Sequence, residues 1–191
     1  MAERGPGSRT RLDRISLLGT LPFAATALTG TVAVYMALVA FGNITDFDTN
    51  RQFVQHVLAM DTTFKDEDVM WRAIESRTLS DIAYVGIIVW ETVAAVVLVA
   101  ATWWWVKGLA RGEFIRARRA STLGLTMMLL LFGLGFIGIG GEWFQMWQSS
   151  DWNGLDAASR NVMLAAFVLV VIHLPAVGGR DEGAETAGPV R

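Results

Sequence analysis

Four apolar runs, at about residues 17–41, 82–106, 123–141 and 157–175, are separated by stretches rich in charge. A helix rises 1.5 Å per residue and a bilayer's hydrocarbon core is about 30 Å thick, so a run of about 20 residues crosses it once. The pattern predicts an all-α integral membrane protein, an antiparallel four-helix bundle. Hydrophobic residues make up 53% of the chain, and here they are gathered into blocks rather than dispersed by amphipathic periodicity. A net charge of −2 and the lack of basic residues interleaved with aromatics give no footprint for nucleic acid. With no cysteine, the chain has no disulfides, thiolate nucleophiles, Fe–S clusters or Cys-based zinc sites, and no cofactor is expected.

Orientation follows from the Lys and Arg residues, because short loops with excess positive charge stay in the cytoplasm. Arg4, Arg9, Arg11, Arg14, Lys107, Arg111, Arg116, Arg118, Arg119, Arg180 and Arg191 fall on one side, against Arg51, Lys65, Arg72, Arg77 and Arg160 on the other. Both termini are therefore expected in the cytoplasm and the protein in the cell membrane. The expected layout is a cytoplasmic segment 1–16, a membrane domain 17–175 and a disordered cytoplasmic tail 176–191. Within the membrane domain, 43–81 and 142–156 are outer loops and 107–120 is cytoplasmic. Trp103, Trp104 and Trp105 suit an inner interfacial belt, and Trp143 and Trp147 an outer one. A cleaved signal peptide is the rival for the first run, since Ala25-Thr26-Ala27 resembles a cleavage site. The run continues well beyond it, as an anchor does. The fourth run is the shortest in its apolar core, 162–172, with Asp156 as a plausible N-cap and Pro175 as a stop.

The first outer loop is long enough to fold. Asp46 or Asp48 can cap a helix through about Met60 with Phe53, Val54, Val57 and Leu58 on one face, and Asp66 can start a second with Val69, Met70, Ala73 and Ile74. Two short amphipathic helices covering the bundle's outer mouth are expected.

Glu91 lies inside the second run. Such a carboxylate costs about 2.5–3.5 kcal/mol on insertion scales and ordinarily faces the bundle interior. Depth matching with the first helix sets Thr31 and Tyr35 at its level, and a hydrogen bond from one of these hydroxyls is expected. The plain reading is a glutamate that holds helices together; proton coupling or ligand binding is the alternative. His56 and His173 fall on opposite sides and cannot share one haem. His56 could join Asp46, Asp61 or Glu142 on a metal, but no ligand spacing supports this, and an ordinary loop histidine is the simpler expectation. The run Gly133 to Gly138 matches a dinucleotide fingerprint in letters only, because that motif needs a strand and a helix start. Gly124, Gly133, Gly135, Gly138, Gly140 and Gly141 read instead as small surfaces for close helix packing, with a locally unwound outer half as the alternative. Continuation of the third helix would pair Glu142 with Met146 and Trp143 with Trp147 as an acidic, aromatic rim. That rim is an interfacial belt or a site for a cation or quinone headgroup.

Two stretches carry a family resemblance. Asn43-Ile44-Thr45-Asp46-Phe47, continuing through His56 and Asp61, and Gly141-Glu142-Trp143-Phe144-Gln145-Met146-Trp147-Gln148-Ser149, followed by Trp152-Asn153-Gly154, resemble the hallmarks of a bacterial family of predicted small integral membrane proteins of unknown function. The resemblance implies a four-helix membrane protein and no established activity. Both hallmarks fall on the expected outer side, so any functional surface is expected there. With no catalytic constellation, the chain reads first as an accessory or assembly subunit of a cell-membrane complex, meeting lipid and other membrane proteins or its own copies. The alternative is a proton-linked solute carrier or a lipid or quinone binder using Glu91 and the outer acidic and Trp residues.

Overall fold

In a computed structural model of the chain, residues 19–175 are described. The segments expected as cytoplasmic tails, 1–16 and 176–191, lie outside them. Among the described residues the regular structure is all helical: α1 (Leu21–Thr45), α2 (Phe47–Ala59), α3 (Arg77–Arg111), α4 (Ile115–Leu129) with a π-wound continuation (Leu130–Trp143), and α5 (Leu155–Ile172). Short 3-10 turns occupy Met70–Arg72 and Met146–Gln148. α1, α3, the α4–π helix and α5 are each long and apolar enough to cross a membrane. α1 packs on α3, α3 on α4, and α5 closes the ring against α4, the π segment and α1. The result is the expected antiparallel bundle.

The bundle is apolar outside as well as inside. Val34, Leu38, Val96, Phe167 and Val170 are each more than 60% exposed around its waist. A collar of that extent is a liability in water and the natural surface in hydrocarbon. With little hydrophobic drive between helices in lipid, close packing must hold them together, which favours small residues at the contacts. Ala25, Ala33, Ala94 and Ala101 are buried accordingly, and Gly30 faces Thr102 so closely that an added Cβ would lie 3.3 Å from its methyl group.

α3 is the longest element, 35 residues or about 52 Å. It exceeds the bilayer and projects past the C-terminal end of α1. Ser76 caps its start by accepting from the Leu79 amide, and Gly112, in the left-handed region at φ 74°, ends it. The turn to α4 is only 112–114, so most of the expected cytoplasmic loop 107–120 is helix. Its anchor is Trp105, fully buried, which stacks on Phe114 at 5.5 Å and donates its indole N–H to Ser121 Oγ at 2.8 Å.

In the first outer loop, α2 forms as expected, although Asp46 makes no side-chain cap bond. The second amphipathic helix does not form. Asp66 accepts the Asp68 amide and starts a single turn, but the chain beyond the 3-10 turn runs extended and bonds Ile74 N to Leu58 O. α5 begins one residue before the expected cap: Gly154 is its N-cap, Asn153 Oδ1 accepts the Leu155 amide, and Asp156 sits in the first turn.

The glycine-rich third span departs most from expectation. From Leu130 to Trp143 it winds as a π-helix, a run of 14 residues where such winding is ordinarily one turn. Gly135 and Gly138 do not meet a neighbouring helix. A Cβ added at either would lie 3.6 Å or more from atoms of its own segment, and at Gly133 it would lie 3.7 Å from Val162. Of the six glycines expected to pack closely, the tightest approaches are at Gly124 and Gly141: a Cβ at Gly124 would lie 2.6 Å from Leu98 Cγ, and one at Gly141 2.9 Å from Leu155.

Candidate functional site

Asn43, two residues before the end of α1, is gripped by α3 from both sides. Its side-chain amide donates to Glu91 Oε2 at 2.6 Å, and its carbonyl accepts from the Tyr84 hydroxyl at 2.8 Å. Glu91 and Tyr84 are each only 1% exposed. Glu91 thus points inward, as a membrane carboxylate should, with its partner at the outer end of α1. Phe47, at the start of α2, packs on the Tyr84 ring at 4.9 Å and closes the site from above.

The expected Glu91 bond to Thr31 or Tyr35 is not formed. Thr31 faces outward and returns its hydroxyl to its own helix at Ala27 O, the usual recourse for a threonine in an apolar helix. Tyr35 donates to Asn161 Oδ1 on α5 at 2.6 Å. The depth match failed because it took the second helix to begin near residue 82, whereas α3 starts at Arg77 and overhangs α1. Glu91 therefore meets Asn43, and Tyr35 and Thr31 lie about 12 and 18 Å further in along α1.

Glu91, Asn43, Tyr84 and Asn161 line a common cavity of about 230 Å³, with Phe53 and Phe136 among its apolar walls. Between α2, α3 and the π segment lies a second, almost wholly apolar cavity of about 200 Å³, lined among others by Val57, Ala83, Leu131 and Gly135. Phe53, Val54, Ile87 and Phe136 line both. Phe53 and Phe136 stack at 6.3 Å and 20°, and Gly154 leaves room for Phe53: a Cβ there would lie 2.9 Å from its ring. The α2 end of the bundle thus holds two mainly apolar cavities with a shared aromatic wall, one of them carrying the polar side chains of Asn43, Tyr84, Glu91 and Asn161. Asn161 and Tyr84 were not singled out in the sequence; a lone Asn inside the fourth apolar run was the available signal.

The outer residues are distributed over separate contacts rather than one site. His56 Nδ1 lies 2.6 Å from Asp61 Oδ2, and its ring stacks on Trp152 at 4.5 Å. Asp46 and Glu142 do not join them, and among the described residues no three His, Asp or Glu side chains converge as metal ligands. The rim of Glu142, Trp143, Met146 and Trp147 does not form by i, i+4 stacking. The helix stops at Trp143, and Gln145 takes the left-handed conformation at φ 56°. Trp143 instead packs edge-on to Trp71 with Arg72 4.8 Å from its ring, and Trp147 edge-on to Phe64. A cation over Trp143, the alternative reading of this rim, is here the protein's own Arg72. Below α2, Arg51 forms a two-pronged pair with Asp81 at 2.5 and 2.6 Å, joined by Gln55. That hydrogen-bonded carboxylate raises the Arg51 guanidinium above its ordinary pKa. His173, at the other end of the bundle, lies 2.9 Å from Thr122 Oγ1.

No curated protein and no solved structure matches this chain. Residues 21–175 match the family described as predicted small integral membrane protein (DUF2165), which covers all four spans and the outer cap. The chain is a multi-pass integral membrane protein and belongs to that family.

Proposed function

We propose that this protein binds a small membrane amphiphile of the lipid or quinone class. The polar head would lie against Glu91 and Asn43 and the apolar part in the cavity beyond the Phe53–Phe136 wall. The carrying observation is the pairing of a buried, hydrogen-bonded carboxylate with two adjoining, mainly apolar cavities. Each cavity alone falls short of the roughly 300 Å³ at which small-molecule pockets begin, and together they exceed it. A glutamate that merely fastened two helices would need no space beside it. The proposal sets the protein in the cell membrane with both termini cytoplasmic, supported by the excess of Lys and Arg at the α3–α4 end.

The test is mass spectrometry of compounds extracted from protein purified from its native membranes in mild detergent. A stoichiometric amphiphile is expected with the wild type, and its loss with Gly135→Leu, which fills the apolar cavity without meeting another helix. Wild-type protein free of any such compound would contradict the proposal.

An accessory role in a larger complex is the second reading. It is favoured by an open cleft of about 330 Å³ on the lipid face between α1 and α3, where Ala37, Ala40, Thr92 and Ala95 would let a partner's transmembrane helix lie close. A stoichiometric membrane partner retained through the same purification would support it.

A further inference from the structure

At the opposite end of the molecule from Glu91, Lys107 and Arg111 of α3 and Arg116 and Arg119 of α4 line one polar depression of about 630 Å³, with Glu113 as its single carboxylate. Among the described residues no carboxylate forms an ion pair with any of the four cations. The walls are held in place: Gly108 admits the Phe114 ring against α3, and Trp105 is locked to both Phe114 and Ser121. Four positive charges facing a single carboxylate repel one another, so an anion is the natural counterpart.

The surroundings identify which anion. Trp104 lines the same depression, Lys107 Nζ lies 4.6 Å over the Trp103 ring, and Val106 and Ile115 stand exposed beside it. Exposed tryptophans next to basic residues mark the headgroup level, and apolar side chains beside the cleft continue into the hydrocarbon. A free phosphate would use only the charges. A phospholipid would use the charges with its phosphate and the apolar flank with its acyl chains.

We propose that the α3–α4 turn is a binding site for the phosphate headgroup of an anionic phospholipid. The basic side chains grip the phosphate, and the short turn keeps the two helix ends at the spacing that lets both contribute. This site is independent of the Glu91 cavities.

The test uses the full chain in a nonionic detergent, with its melting temperature followed as phosphatidylglycerol, phosphatidylcholine or inorganic phosphate is added, because a ligand of the folded state raises it. A saturable rise with phosphatidylglycerol and none with phosphatidylcholine is expected. Arg111→Gln with Arg116→Gln should abolish the rise, and Arg160→Gln, at the other membrane face, should keep it. Should the double variant fold poorly, Lys107→Gln with Arg119→Gln carries the same expectation. An equal response to phosphatidylcholine, an equal response to inorganic phosphate, or an undiminished rise in a folded double variant would each overturn the proposal.

Discussion

A buried polar atom is either matched or expensive, and the interior of this bundle shows both conditions. Asn43 is the only side chain donating a hydrogen bond to Glu91 among the described residues. Asn43→Leu should therefore destabilise the protein by about 1–3 kcal/mol, the cost of leaving a buried group unsatisfied, as read by thermal unfolding in detergent. Glu91→Gln keeps an oxygen to accept that bond, so it should retain the fold while weakening retention of the proposed amphiphile in the extraction assay. Thr29 is the converse case. It is fully buried in α1, and its hydroxyl has no partner among the described residues. Thr29→Val keeps the shape and removes the orphan, so its melting temperature should equal or exceed that of the wild type. That Glu91 would turn inward was legible from its residue type at that depth. Its partner was not, because the level at which two helices meet depends on how far each extends past the membrane, and hydropathy does not record the overhang of α3.

At the scale of elements, the spans were legible because lipid demands continuous apolar helices, and α2 because its apolar face repeats at helical spacing. The second loop helix ends after one turn, where the chain runs extended and bonds Ile74 to Leu58, and the Trp143–Trp147 pairing fails because a helix stop cannot be read from aromatic spacing alone. Glycine density in the third span was visible, but the same glycines suit close packing and altered winding equally, and only coordinates separate the two. The structure divides them. Gly124→Ala should cost about 1–3 kcal/mol, since its Cβ would press on Leu98 at the α3–α4 contact, whereas Gly135→Ala should be tolerated. Parallel thermal melts of the two variants check this, and a large loss at Gly135 with none at Gly124 would reverse the assignment.

For the whole molecule, the apolar collar, the four spans and the family membership describe one object, a bundle with a folded cap at one end and a basic hairpin at the other. The cap roofs the Glu91 cavity, so a ligand entering from that end of the bundle would meet α2 first. The orientation of this object rests on the charge asymmetry, and the natural absence of cysteine makes it directly measurable. Single cysteines can be placed at Lys65 in the cap and at Glu113 in the α3–α4 turn, then exposed in intact cells to a membrane-impermeant maleimide. The account predicts labelling of Lys65→Cys at once and of Glu113→Cys only after the membrane is permeabilised; the opposite order, or equal labelling of both in intact cells, would contradict it.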